Sequence, residues 1–146
     1  MARGTVPAPA MRLVVAARSA LREALSAQSS PERYATAHLA ALRAAAAVLA
    51  MRAHPAEMRS RRPTSAWALL TAVSPELGEW AAHFAAGADK RAAALAGMHG
   101  AVTAREADDL VRDATTFLAL VETTLGIPEP LDSVASGSAA IFERAG

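Results

Sequence analysis

The chain has 146 residues, 53% of them hydrophobic and 4% aromatic, with a formal net charge of +1 and no cysteine. That length suits one domain around one core, and the small charge excludes a global basic field for nucleic acid. Scarce rings exclude a stacking platform for single-stranded bases, and missing thiols exclude disulfides, thiolate metal sites and a cysteine nucleophile.

Alanine makes up half of the hydrophobic residues. Helices can therefore pack closely, while a sparse set of Leu, Val, Trp and Phe must supply most of the buried area. Thr5-Val6-Pro7-Ala8-Pro9 has no hydrophobic period and two prolines, so residues 1–9 are expected to form a flexible arm. The first helix is predicted from Ala10 to Ala27, with Leu13, Val14, Ala17, Leu21, Ala24 and Leu25 on one apolar face.

Ser30 as N-cap, Pro31 at the first helical position and Glu32 near the positive dipole end predict a second helix running to Arg52. Tyr34, Ala37, Ala41, Ala45, Val48 and Leu49 would face inward, and the nearly uncharged Ala41–Ala50 stretch places this helix centrally. Pro55 ends it and opens a basic linker, residues 53–64, holding His54, Arg59, Arg61 and Arg62.

Thr64 or Ser65 can cap a short helix bearing Trp67, Leu69, Leu70 and Val73. Ser74-Pro75-Glu76 repeats the earlier start signal and opens a helix with Leu77, Trp80, Ala81 and Phe84, closed or kinked by Gly87. Asp89 is the expected cap of a further short helix through Ala96, ended by Gly97 and Gly100. Thr103-Ala104-Arg105-Glu106 is a capping box, and Leu110, Ala114, Phe117, Leu118, Val121 and Leu125 keep one face until Gly126 and Pro128.

No strand alternation occurs, so the fold class is all-α, a helical bundle over residues 10–126 with a loose tail at 127–146. The apolar run Leu13–Ala17 is too short for a signal-peptide core, and no uncharged stretch approaches the ~20 residues of a membrane span. A cytoplasmic location without membrane attachment is expected.

Arg33 and His38 are the first candidates for chemistry. Five residues apart on a helix, they stand roughly 140° apart around its axis. An imidazole can move a proton near neutral pH and an arginine can hold a phosphate's developing charge, so the pair could cleave a phosphodiester without metal. Equally, Arg33 can be a solvated residue near a helix start and His38 a partly buried polar one. Arg43, Arg59, Arg61 and Arg62 could bind phosphates, or simply be solvated.

On the last helix, Arg105 and Asp109, and Asp108 and Arg112, stand four apart and predict two intrahelical ion pairs. His83 and His99 have no companion at a ligand spacing. No metal site and no cofactor are expected.

Glu32-Arg-Tyr-Ala-Thr-Ala-His-Leu-Ala-Ala-Leu-Arg43, Ser65-Ala-Trp-Ala-Leu-Leu70, Pro75-Glu-Leu-Gly-Glu-Trp-Ala81 and Ala104-Arg-Glu-Ala-Asp-Asp-Leu-Val-Arg112 resemble segments of the HEPN domains (higher eukaryotes and prokaryotes nucleotide-binding), in particular a small stand-alone bacterial subgroup. The resemblance spans roughly residues 10–126. It implies a four- to five-helix, mostly up-and-down bundle with flexible termini, often paired as a homodimer.

It also implies one of two roles. One is a metal-independent ribonuclease using an Arg/His pair, here Arg33 and His38. The other is a non-catalytic domain binding RNA, a nucleotide or a partner protein, often within toxin–antitoxin or stress systems. A purely structural helical adaptor is a third reading. The family's pair usually lies near the start of the last long helix and its Arg is usually followed by a small polar residue. Here the pair lies on the second helix and Tyr34 follows.

Overall fold

The computed structural model describes residues 5–53, 65–98 and 100–128, and among these there are helices and no strands. Three long helices, α1 (Ala8–Ser26), α2 (Ser30–Arg52) and α6 (Ala104–Leu125), frame the bundle. Three short ones, α3 (Ala66–Val73), α4 (Gly78–Ala86) and α5 (Ala88–Leu95), form its fourth side, with a 3₁₀ turn at Pro75–Leu77 ahead of α4.

Polar ties between helices reveal the direction of each. Arg33 near the start of α2 meets Asp108 near the start of α6, whereas Arg18 in the middle of α1 meets Glu122 near the end of α6. α1 is thus antiparallel to both. Arg52 at the end of α2 bonds Ser74, and His38 bonds the Phe84 carbonyl, so the α3–α5 side runs back along α2. The result is an up-and-down arrangement, as expected for the resemblance.

α2 is the central element. Ala35, Ala37, Ala40, Ala41, Ala44, Ala45 and Ala47 are all buried along it, together with Tyr34, His38, Val48 and Leu49. Its length and a mean hydropathy of 1.3 would suit a membrane span, although 61% of that window is buried inside the bundle. The larger side chains form one aromatic cluster: Trp67 stacks on Phe84 at 5.3 Å, and Phe84 meets Phe117 at 5.2 Å. Rings at these separations add about 0.5–1.5 kcal/mol per pair beyond their burial.

Several boundaries differ from the sequence expectation. α1 begins at Ala8, inside the segment assigned to the arm, with Pro9 in its first turn, where a missing N–H leaves no hydrogen bond unmade. Its buried face is Ala10, Val14, Ala17, Ala20 and Ala24, whereas Leu25 is 66% exposed; the small residues let α1 lie close to α2, which rotates Leu25 outward. The α2 N-cap is Ser29 rather than Ser30, its hydroxyl accepting from the Glu32 amide.

Ser65 caps α3. Ser74-Pro75-Glu76 opens the 3₁₀ turn rather than an α-helix, and Gly87 rather than Asp89 occupies the cap position of α5. The basic linker beyond Ala53 and the tail beyond Pro128 lie outside the described residues.

The capping box of α6 forms as expected: the Thr103 hydroxyl accepts from the Glu106 amide and the Glu106 carboxylate accepts from the Thr103 amide. At the other end Gly126 takes a φ of 74°, a left-handed conformation that suits a residue without Cβ. Replacing Thr103 by Ala leaves one helix-end donor without its side-chain acceptor. Thr103→Ala should cost about 1 kcal/mol in urea unfolding with little change in helix content by circular dichroism.

Candidate functional site

The fold takes Arg33 and His38 to different environments. His38 is 2% exposed. Its Nε2–H donates to the Phe84 carbonyl at 2.8 Å, and because a carbonyl only accepts, this bond fixes the neutral ring as the Nε2–H tautomer. The ring sits edge-on between Trp67 and Phe84, at centroid separations of 5.9 and 6.1 Å. Its Nδ1 has no partner among the described residues. Burial pushes the His38 pKa below its ordinary 6.5; the Phe84 carbonyl opposes this, and the charges of Arg91 and His83 reinforce it.

Arg33 is a clamp at a helix end. Its Nε donates to the Ala24 carbonyl at 3.1 Å, Nη2 to the Ala27 carbonyl at 3.3 Å and Nη1 to Asp108 at 2.8 Å. The first two acceptors belong to the last turn of α1 and its cap, where unpaired carbonyls and the negative dipole end attract a cation. Arg43 also reaches α1, its Nη1 donating to the Ala16 carbonyl at 3.3 Å in the middle of that helix. Arg59, Arg61 and Arg62 lie outside the described residues, as does His99.

Beside His38, α2 closes on the α4–α5 junction. A Cβ built on Gly87 would lie 2.6 Å from the Tyr34 hydroxyl and 3.6 Å from His38 Cδ2, so the helices meet here only because position 87 has no side chain. Burial raises the Tyr34 pKa, with Lys90 opposing the shift and Glu106 adding to it. Lys90 also pairs with Glu106, and that hydrogen bond, with the Thr103 amide, holds the Glu106 carboxyl down at about 2. Arg91 contributes a buried Nε without a partner among the described residues.

The expected intrahelical pairs of α6 are replaced by others. Asp108 faces Arg33 across helices and Asp109 pairs with Arg112 three residues on. For Asp108 a tertiary partner outweighs a local pair worth only ~0.2–0.5 kcal/mol, while Asp109 exchanges one local partner for another. His83, without a companion in the sequence, meets Asp113 of α6 at 2.9 Å; a separation of thirty residues carries no spacing signal. No group of three or more His, Cys, Asp or Glu side chains able to hold a metal occurs among the described residues.

A groove of about 660 Å³ opens at the start of α2, between Ser29–Glu32 and the loop joining α5 to α6. Gly97 and Gly100 turn that loop with φ near 71° and 74°. Ala35 and Val102 line the groove, and Leu95 and Met98 border it at 65% and 58% exposure. In the sequence Ser30–Glu32 mark a helix start and Gly97 and Gly100 a helix end, and nothing there signals the groove, because it forms between segments about sixty residues apart.

A family model described as SAV_6107-like HEPN matches residues 24–122, more than half of the chain. The chain belongs to the HEPN family. The match takes in α2 through nearly all of α6 and leaves most of α1 ahead of it. No curated protein and no solved structure matches the chain. Within this HEPN bundle Arg33 and His38 share a helix, yet no hydrogen bond joins them: one is bonded to the end of α1 and the other is enclosed by aromatic rings.

Two outcomes test this account. Gly87→Ala should destabilise the fold by about 1 kcal/mol through overpacking, and adding Tyr34→Phe should recover most of the loss, since the clash is with the hydroxyl; equilibrium unfolding of the two single variants and the double variant measures this. The second concerns pH. The His38 pKa is lowered in the fold, so below about pH 6.5 the unfolded chain binds more protons and stability falls as pH drops. In His38→Gln the slope of unfolding free energy between pH 7 and pH 5 should be shallower than in the wild type.

Proposed function

We propose that this HEPN domain works by binding a protein partner and not by cleaving RNA, with the groove between the start of α2 and the α5–α6 loop as the docking site. The observation that carries this reading is the state of the Arg/His pair. A general acid or base must reach the atom whose proton it moves, and His38 is 2% exposed with Nε2–H committed to Phe84. A phosphate-stabilising arginine must aim free donors outward, whereas Arg33 has three nitrogens bonded within the bundle.

Phosphate recognition by the cations already bonded within the bundle is weakened for the same reason. Arg18, Arg33, Arg52, Arg112 and Lys90 are each paired with a carboxylate, and Arg43 bonds the α1 backbone. The groove supplies what a protein partner needs: concave shape, a mixed lining in which Ala35, Ala94 and Val102 lie beside Ser29, Glu32 and Thr36, and two exposed flexible or branched side chains at its border. Methionine is suited to such a border because its unbranched chain adapts to what it meets.

The test runs two assays on the purified chain. Incubated with mixed RNA in the absence of metal, it should show no cleavage above a mock preparation. A protein partner recovered with the wild type should be lost with Leu95→Glu and with Met98→Glu, while both variants keep the wild-type unfolding curve. RNA cleavage that disappears in both His38→Gln and Arg33→Lys, with folding retained, would establish the ribonuclease reading instead. Salt-dependent RNA binding lost on replacing Arg59, Arg61 and Arg62 would establish phosphate recognition.

A further inference from the structure

α1 carries a second surface, on the element that precedes most of the family match. Its inner side is closed by Ala10, Val14, Ala17, Ala20 and Ala24. On the outer side Ala8, Met11, Val15 and Ser19 recur at intervals of three and four, the spacing that lines up one helix face. Together with Thr5 and Val6 they shape a hollow of about 730 Å³. Val15 at its centre is 49% exposed, although a branched apolar side chain in that position gains nothing from water.

Cations outnumber carboxylates around this stripe. Arg12 lines the hollow, and Arg22, two turns beyond Val15, lies within roughly 20° of it around the helix axis. Neither has an ion-pair partner among the described residues, while Arg18 is neutralised by Glu122. The single carboxylate of α1, Glu23, stands roughly 80° from Val15 at the edge of the face.

We propose that the outer face of α1 docks an amphipathic helix of a partner protein, one whose apolar stripe is flanked by Asp or Glu. Such a helix would seat apolar side chains in the hollow around Val15 and bring carboxylates to Arg12 and Arg22. A second copy of this chain fits less well: two antiparallel α1 helices would set Arg12 of one against Arg22 of the other, and like charges in contact repel. A bilayer fits less well too, since helices that lie on membranes combine many cations with Trp, Phe or Leu on the apolar face, and this face offers two free arginines around Met and Val. This inference rests on the partner-binding reading above but uses a different surface from the groove.

The absence of cysteine makes the test direct. Val15→Cys places a single thiol in the hollow, and its rate of modification by a small thiol reagent reports cover. The free chain should react quickly at every concentration. A synthetic helix with a leucine stripe flanked by glutamates should slow the reaction at least tenfold, and the same peptide with lysines in place of glutamates should not. In the Arg12→Glu, Arg22→Glu background the preference should reverse.

Equal protection by both peptides, or by neither, would overturn the proposal. Slow reaction of the free chain at all concentrations would mean that the chain covers its own α1, and protection that grows with protein concentration would mean a second copy; either overturns it. So would protection by vesicles of anionic lipid exceeding that by the glutamate peptide. Failure here leaves the groove reading standing if Leu95→Glu still releases the partner, and that reading fails separately if it does not.

Discussion

Everything in this bundle depends on how closely α2 is approached by its neighbours. Its buried face is a seam of alanines, and α1 answers with Ala10, Ala17, Ala20 and Ala24. Small side chains on both sides bring the helix backbones together and gain dispersion contacts over a long interface. They also bury little area each. Stability therefore leans on a few large residues, above all Trp67, Phe84 and Phe117, gathered where α3, α4 and α6 meet the other side of α2.

Close approach constrains the polar residues as well. With backbones near one another, long cationic side chains reach across and bond to carbonyls or carboxylates of the next helix. Arg33 and Arg43 do this to α1, Arg52 to Ser74 and Glu76, and Lys90 to Glu106. The exposed ion pairs among these contribute little individually, while the bonds to helix-end carbonyls satisfy groups that would otherwise depend on water. His38 is the extreme case. Its ring bonds across to Phe84 in the middle of the aromatic cluster, where a proton on Nδ1 would place a charge among apolar neighbours.

This arrangement ties the two candidate residues into the bundle: Arg33 to the end of α1 and to Asp108, His38 to the Phe84 carbonyl. Two concave surfaces with apolar side chains remain open to solvent among the described residues: the groove beside Leu95 and Met98, and the hollow on α1. Membership of the HEPN family establishes the bundle.

Sequence alone determined the features that arise within about one helical turn. The capping box at Thr103 and Glu106, the glycine stop at Gly126 and the inward face of α2 all follow from hydrogen bonds and spacings a few residues long, which also narrow the cap of α3 to Thr64 or Ser65. Where close packing entered, prediction slipped: the register of the small residues on α1 turned Leu25 outward, and Pro9 proved compatible with a first turn. Only the tertiary structure decided the fates of Arg33, His38, His83 and Asp108. Each has a partner nine to seventy-five residues away, and no periodicity along the chain encodes such a distance. A spacing of five residues placed Arg33 and His38 on one helix, but which of them meets solvent and which meets the core depends on what packs against that helix.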